Sequence, residues 1–202
     1  MKILAISCSP NKEGNTVALL NQALDGARNE GSETELFTVA GKTIEPCRGC
    51  WACRDTGECV IDDDMHDLYG KMAEADGLLL GAPIYLYGMS AQCKIVIDRT
   101  VALSTPAKSH LANKVGAAVV VAGSLGLVDA LKDIYFFYVT RQMVPANFVA
   151  AYAVSPGEVQ NLEKCMKATF DLGRQMVLIA RKKFEYPQDI ERPRIAFGTH
   201  TR

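Results

Sequence analysis

The sequence predicts an α/β protein in which a parallel sheet is covered by helices on both faces. Short apolar runs, such as residues 115–121, alternate along the chain with longer segments of helical periodicity. The runs are continuously apolar, which is typical of parallel strands buried between two layers of helices. The 22 basic and 23 acidic residues almost cancel, so the composition does not favour nucleic acid or an anionic membrane as a partner.

Five strands are predicted, and this number is typical of a flavodoxin-like sheet, which binds ligands at the carboxyl ends of its strands. The length of 202 residues suits one domain, over residues 1–180. Residues 181–202, with Pro187 and Pro193, lack periodicity and are predicted to form an extended arm. In chain order, the predicted elements are strand 2–7, helix 15–30, strand 33–39, helix 64–75, strand 77–82, helix 91–103, strand 115–121, helix 127–143, strand 147–153 and helix 157–182.

The loop after the first strand, residues 7–16, is predicted to bind phosphate. Its sequence SCSPNKEGNT brings hydroxyls and free backbone N–H groups to the positive end of a helix dipole. The pattern matches neither a P-loop nor a dinucleotide-binding glycine motif, so an NTPase and a Rossmann domain are disfavoured. The alternative is a simple helix cap formed by Asn15 or Thr16.

The loop after the third strand, residues 82–89, places two tyrosines and two aliphatic side chains where polar residues are usual. Such a loop suits the wall of a flat aromatic ring, and an apolar patch over the sheet edge or at a subunit contact is the alternative. Combined with a phosphate loop on a neighbouring strand, it fits flavin mononucleotide (FMN). Gly123 and Ser124, after the fourth strand, are the third expected contact, because glycine lets the backbone approach a ring.

The location of the protein follows from what the chain lacks. Its longest apolar stretches are too short to span a bilayer, and its N-terminus does not have the layout of a signal peptide. We therefore expect a cytoplasmic protein without a membrane partner. In a reducing compartment, clustered cysteines favour metal or redox chemistry over disulfides.

Four of the seven cysteines lie within thirteen residues, in the pattern Cys-x2-Cys-x2-Cys-x5-Cys. Such a run wraps three ligands around one compact object and is typical of Fe–S clusters held by short segments. Structural zinc, which more often uses two separated Cys-x2-Cys pairs, remains an alternative, as do disulfides or free thiols. The acidic residues 62–67 that follow are explained by the start of a helix, where carboxylates are favoured, rather than by metal binding. The four clustered cysteines are Cys47, Cys50, Cys53 and Cys59.

Three motifs together resemble the iron–sulfur flavoproteins of the NADPH-dependent FMN reductase-like, flavodoxin-fold superfamily. They are SCSPNKEGNT (7–16), CRGCWACRDTGEC (47–59) and APIYLYGMSAQCKIVIDRT (82–100). The resemblance implies one FMN and one 4Fe–4S cluster per subunit, with the four clustered cysteines as the cluster ligands. Ser9, Asn11, Asn15 and Thr16 match the phosphate loop, and Pro83, Ile84, Tyr85, Leu86, Tyr87 and Gly88 match the ring-binding loop.

The resemblance also implies a function. Members of the iron–sulfur flavoprotein family form dimers or tetramers and accept electrons from ferredoxin, and some reduce dioxygen or hydrogen peroxide. We therefore expect a flavin-dependent, electron-transferring oxidoreductase with a ferredoxin-like donor, a small-molecule acceptor and a homodimeric or homotetrameric assembly. No side chain is predicted to be catalytic, because the cofactors carry the chemistry. Two alternatives remain: an NAD(P)H-dependent FMN or quinone reductase whose cysteine loop is structural, and a non-enzymatic redox sensor.

Overall fold

A computed structural model of the protein describes residues 1–104 and 109–187. Its strands are β1 (Lys2–Ser7), β2 (Glu33–Thr38), β3 (Gly77–Tyr85), β4 (Gly88–Met89), β5 (Val115–Ala122) and β6 (Val144–Tyr152). Five of them form a parallel sheet in the order β2-β1-β3-β5-β6, and the short β4 pairs antiparallel to the end of β3. The predicted parallel sheet is therefore confirmed, with β4 as an addition.

Helices cover both faces of this sheet, as predicted. In the described ranges they are α1 (Asn15–Asn29), α2 (Ala52–Thr56), α3 (Met65–Glu74), α4 (Ala91–Arg99), α5 (Leu127–Thr140) and α6 (Glu163–Ala180). Helices α1 and α6 share one buried cluster with β1 residues such as Ile3 and Ala5. Helices α3, α4 and α5 share the other cluster with Leu4 and Ile6, because side chains alternate between the two faces of a strand.

Helices α1 and α6 pack closely because each offers a glycine to its neighbour. A Cβ built on Gly173 would lie 1.7 Å from the carbonyl oxygen of Ala23, and one on Gly26 would lie 1.9 Å from that of Phe170. Neither position has room for a larger side chain, since the obstructing atoms belong to the backbone. This close contact fixes one helical layer under the sheet.

Several predicted boundaries differ from the structure. Strand β6 begins at Val144 and not at residue 147, and α5 ends at Thr140 and not at residue 143. Strand β3 does not end at residue 82 but continues through Pro83 to Tyr85, because its end pairs with β5 and with β4. The helix predicted over 91–103 ends at Arg99 and continues as the 3-10 turn Thr100–Leu103. The helix predicted over 157–182 consists of the 3-10 turn Glu158–Asn161 followed by α6.

The predicted C-terminal arm lies mostly outside the described residues, which end at 187. Before that point, the backbone N–H of Tyr186 donates to Asn113 Oδ1 at 3.0 Å, and the Phe184 ring packs edge-on against Tyr186. Within residues 1–104 and 109–187, no helix is long and apolar enough to cross a membrane.

Candidate functional site

A pocket of about 260 Å³ lies at the carboxyl edge of the sheet. We call it the edge pocket. It is built by the loops that follow β1, β3, β5 and β6, which meet there because the carboxyl ends of parallel strands share one edge. Its lining residues are Ser9, Asn11, Gly14, Asn15, Thr16, Pro83, Ile84, Tyr85, Val121, Gly123, Ala153, Val154 and Pro156. The structure therefore brings together the three loops that the sequence singled out for a flavin.

The loop after β1 presents the start of α1 to the edge pocket. Gly14, and not Asn15 or Thr16, is the residue that precedes the helix, and within the described chain no side chain caps it. The first N–H groups of the helix consequently lack partners inside the helix and offer hydrogen bonds to an anion. The loop itself is shaped by Ser9 Oγ, which accepts the N–H of Asn11 at 3.1 Å, and by Asn11 Oδ1, which accepts the N–H of Glu13 at 3.0 Å.

Asn15, predicted as a phosphate contact, also has a structural task. Its Nδ2 donates to the carbonyl oxygen of Ser155 at 2.9 Å, and its Oδ1 accepts the N–H of Val159 at 3.4 Å. Both amide atoms thus tie the start of α1 to the segment after β6. Asn15 lines the edge pocket while holding two of its walls together.

The charge of the residues that line the edge pocket decides how it could hold a phosphate. Among its lining residues in the described chain, none is charged. The side chain of Lys12 extends instead toward Gly41. A Cβ built on Gly41 would lie 3.2 Å from the Nζ of Lys12. A phosphate in this pocket would therefore depend on neutral donors, namely backbone N–H groups, hydroxyls and the helix dipole.

The loop after β3 is a tight hairpin, because Tyr85 pairs with Gly88 across only two residues. Those two residues, Leu86 and Tyr87, have positive φ angles of 45° and 71°, which ordinary side chains rarely adopt. Leu86 is 94% exposed. Pro83, Ile84 and Tyr85 line the edge pocket, whereas Leu86, Tyr87 and Gly88 form the hairpin tip beside it and are outside its lining, as is Ser124.

Ser90 connects this hairpin to the loop after β1. Its Oγ donates to the carbonyl oxygen of Cys8 at 2.9 Å, and its N–H donates to that of Pro83 at 3.1 Å. The same Oγ accepts the N–H of Cys93 at 3.3 Å and so begins α4. A single buried hydroxyl therefore fixes the two predicted flavin loops relative to each other.

The sequence interpretation missed the wall formed after β6. Ala153, Val154 and Pro156 line the edge pocket, as does Val121 at the end of β5. The sequence does contain a signal for this wall. The turn residues at 155–157 follow a strand of the same sheet and therefore reach the same edge. Glu158 shapes this wall, since its carboxylate accepts the N–H groups of Val154 and Ser155 at 2.7 and 2.9 Å. These two hydrogen bonds lower the pKa of Glu158.

The four clustered cysteines line a second cavity, of about 280 Å³. We call it the cysteine cavity. Its other walls come from the loop itself and from the end of α4. The lining residues are Cys47, Arg48, Gly49, Cys50, Trp51, Cys53, Cys59, Val60, Ile61, Asp98, Arg99 and Val101. All four cysteines of the motif therefore face one space.

Three residues with positive φ turn the chain around this cavity. They are Gly49 (φ 64°), Trp51 (φ 62°) and Gly57 (φ 73°), and they lie between successive cysteines. The short helix α2, which was not predicted, occupies the turn between Trp51 and Gly57. The side chain of Trp51 is 67% exposed at the mouth of the cavity. The glycines are required here because a side chain is strained at such angles, and Trp51 bears that strain.

The thiols of the cysteine cavity influence one another. Burial raises the pKa of Cys53, and the nearby thiols of Cys59, Cys47 and Cys50 raise it further. Within residues 1–104 and 109–187, however, no group of three or more His, Cys, Asp or Glu side chains is close enough together to hold a metal ion. The four cysteines thus share one cavity. Their assignment as cluster ligands stays a prediction.

Arg99 lies at the base of the cysteine cavity and is 1% exposed. Its guanidinium forms a two-pronged ion pair with Asp63, with Nη1 to Oδ2 at 2.7 Å and Nη2 to Oδ1 at 3.0 Å. Asp63 also accepts the N–H of Met65 at the start of α3, which agrees with the helix-start role predicted for residues 62–67. Its pairing with Arg99 was not predicted, because the two are 36 positions apart in the sequence.

Comparisons with known proteins decide the family. The NADPH-dependent FMN reductase family matches residues 1–155, a span that contains the cysteine cavity and nearly all of the edge pocket. The chain belongs to this family. It is a flavin-dependent oxidoreductase, as predicted.

Relatives of this FMN reductase family member carry the name predicted from its motifs. An iron–sulfur flavoprotein of Methanocaldococcus jannaschii is 36% identical over 193 residues, which cover 90% of this chain and 98% of the relative. An iron–sulfur flavoprotein of Archaeoglobus fulgidus is 32% identical over 189 residues, covering 91% and 82% of the two chains. The resemblance to the iron–sulfur flavoproteins is therefore confirmed.

Solved structures confirm the flavodoxin-like fold of this family member. RosB, solved with an 8-demethyl-8-formylriboflavin-5'-phosphate intermediate, superposes with a TM-score of 0.74 at 18% identity, over 99% of this chain and 93% of its own. A WrbA-like flavodoxin from Agrobacterium tumefaciens superposes with a TM-score of 0.64 at 15% identity, over 91% and 98% of the two chains.

Proposed function

We propose that this protein transfers electrons between a ferredoxin-like one-electron carrier and a small acceptor, through FMN in the edge pocket and a 4Fe–4S cluster in the cysteine cavity. Dioxygen and hydrogen peroxide are the candidate acceptors, and the working form is a homodimer or homotetramer. One observation carries the proposal: all four cysteines of the motif line one cavity, while the predicted flavin loops line a different one. Two separate sites match two cofactors.

The residues of the edge pocket fit FMN at both ends. The uncapped start of α1, with the hydroxyls of Ser9 and Thr16, suits the phosphate. Pro83, Ile84 and Gly123 supply an apolar wall and an open backbone approach that suit the ring. The family match over residues 1–155 supports FMN as the occupant.

The donor set of the cysteine cavity fits an Fe–S cluster. Four thiolates are the ligands that such clusters use, and all four cysteines of the motif line one cavity. The buried side chain of Ile61 lines the same cavity and would limit the access of water on that side. The relatives from Methanocaldococcus jannaschii and Archaeoglobus fulgidus are named iron–sulfur flavoproteins, which supports the same occupant.

When bound, FMN exchanges one or two electrons, whereas an Fe–S cluster exchanges one electron at a time. Together they therefore couple a one-electron carrier to a two-electron reaction. The chain supplies the positions of both groups and their surroundings. The backbone of the loops after β3 and β5 would contact the flavin, and the cysteine thiolates would hold the cluster. No acid or base from the chain is needed for this exchange.

The identity of the electron donor distinguishes this proposal from a second candidate function, an NAD(P)H-dependent reductase with a structural cysteine loop. The second candidate is favoured by the family to which the chain belongs. In an anoxic stopped-flow experiment, the oxidised protein is mixed with reduced ferredoxin or with NADPH, and the loss of flavin absorbance is followed. We expect fast reduction by ferredoxin and slow reduction by NADPH. Fast reduction by NADPH alone would contradict the proposal and favour the second candidate.

A further inference from the structure

The cysteine loop, residues 46–60, has little packing of its own. The structure describes every residue of this loop, and among them only Cys53 is buried. Its helix α2 has five residues, which is too short for a helix to be stable by itself. The shape of the loop therefore depends on how its two ends are held.

Hydrogen bonds join the two ends of the loop at a neck, formed by residues 43–45 and 61–64. The N–H of Thr43 donates to Asp64 Oδ2 at 2.7 Å, and the N–H of Asp64 donates to the carbonyl oxygen of Thr43 at 3.1 Å. The N–H of Glu45 donates to Asp63 Oδ2 at 2.8 Å. These three bonds use backbone and carboxylate groups and no thiol, so they do not depend on what the cysteines bind.

Arg99 closes the neck from the protein core. Its Nη1 donates to the carbonyl oxygen of Glu45 at 2.7 Å, and its Nη2 donates to that of Ile61 at 3.4 Å. Glu45 precedes the first cysteine of the motif by two positions, and Ile61 follows the last by two. One buried cation therefore binds the chain just before and just after the four thiols.

Each of the five N–H groups of Arg99 has an acceptor. Two go to the neck carbonyls, two to the carboxylate of Asp63, and the Nε–H donates to the Tyr69 hydroxyl at 3.2 Å. That hydroxyl donates its own proton to the carbonyl oxygen of Arg99 at 3.0 Å and so orients the guanidinium. A lysine offers three donors from one atom and cannot reproduce this fork, so the neck requires arginine.

We propose that Arg99 and Asp63 are positioning residues that form a clasp at the neck and hold the cysteine loop closed whether or not its thiolates bind a cluster. Because the clasp fixes the ends of the loop in advance, cluster binding orders less free chain, and the cluster is held more tightly. The effect on the cluster rests on the proposed function. The closure itself does not, because its contacts involve no cysteine.

Trypsin measures the closure directly, because Arg48 and Arg54 are exposed within the loop. Protein freed of iron, in excess FMN, is digested briefly, and cleavage after these two residues is followed by mass spectrometry. We expect slow cleavage in the wild type and about tenfold faster cleavage in Arg99→Lys, because proteolysis follows the population of the open loop. Asp63→Asn, which keeps the size of the side chain, should show the same increase.

Leu24→Ala is the matched control for these variants. Leu24 is buried in the core cluster on the opposite face of the sheet, so its truncation lowers the overall stability without touching the neck. Cleavage of the cysteine loop in Leu24→Ala should stay near the wild-type rate, which separates opening of the neck from a general loss of stability.

The second test measures the cluster in anoxically purified protein. A ferrous chelator should remove iron several times faster from Arg99→Lys than from the wild type or Leu24→Ala, with FMN retained. The inference is overturned if trypsin cuts the loop of Arg99→Lys and Asp63→Asn no faster than that of Leu24→Ala, or if the chelator removes iron from all variants at one rate. Wild-type protein that lacks iron would instead overturn the proposed function, and the trypsin rates would still decide the clasp.

Discussion

The backbone of Tyr87 lies directly against Gly126. A Cβ on Gly126 would lie 2.4 Å from the carbonyl oxygen of Tyr87, and the φ of Gly126 is +97°, so both space and conformation require glycine. This contact joins the hairpin after β3 to the loop after β5, and both loops contribute to the edge pocket. It also braces Leu86 and Tyr87 in their unusual backbone conformation.

The Gly126 contact predicts a local effect on flavin binding. In Gly126→Ala, the hairpin must move away from the pocket, so we expect the dissociation constant for FMN to rise about tenfold, with a stability loss of about 1–2 kcal/mol from the strained backbone. Fluorescence titration of the flavin-free protein with FMN measures the first quantity. Gly70→Ala is the control, because a Cβ there meets open space, and equal affinities in the two variants would contradict this account.

The cysteine assignment predicts that metal and flavin are lost separately. Cys50→Ala removes one thiolate from the cysteine cavity and none from the edge pocket, so we expect most of the iron to be lost while the FMN content stays near that of the wild type. Iron and flavin analysis of anoxically purified protein measures both. Cys165→Ala on α6 should keep both cofactors. A full cluster in Cys50→Ala would refute the ligand assignment.

The ion pair between Asp63 and Arg99 predicts a stability difference that depends on pH. Asp63→Asn leaves a buried guanidinium without its counter-charge, which should lower the free energy of unfolding by about 3 kcal/mol at pH 7. Burial of Asp63 opposes its ionisation, but hydrogen bonds from Arg99, Glu45 and Met65 outweigh burial and hold its pKa below the usual value. The stabilisation is therefore complete above the usual carboxyl pKa of about 4 and is lost as the pH falls through the lowered value.

Denaturant unfolding of the wild type and Asp63→Asn across this pH range checks the prediction. The two curves of free energy against pH should approach each other only on the acid side. Asp62→Asn, at the exposed neighbouring position, should follow the wild type throughout. A constant difference between Asp63→Asn and the wild type at every pH would contradict the assigned role of the carboxylate.

The two hydrogen bonds of Asn15 predict that the wall after β6 supports FMN binding. Asn15→Ala frees the segment around Ser155 and Val159 from α1, so we expect the FMN dissociation constant to rise about fivefold, the effect of roughly one net hydrogen bond. Isothermal titration calorimetry with FMN measures it. Asn21→Ala, exposed on the same helix, is the control, and no difference between the variants would assign Asn15 to folding alone.

The sequence predicts the sheet well because its strands are buried on both faces and their apolar runs are unambiguous. Lys2–Ser7 was predicted to the residue, and the loop motifs at 7–16 and 82–89 meet at one edge because parallel topology requires it. What the sequence could not predict depends on contacts between distant residues. The pairing of Arg99 with Asp63, the β6 wall at Val154 and the ties of Asn15 all join segments that no local pattern relates.

The proposed function requires that the four cysteines hold an iron–sulfur cluster beside a flavin. The most direct test is the content of iron and acid-labile sulfide per FMN in wild-type protein purified without oxygen. We expect about four irons and about four sulfides per flavin. Stoichiometric FMN with zinc and no iron would contradict it and would make the cysteine loop a structural element of an NAD(P)H-dependent reductase.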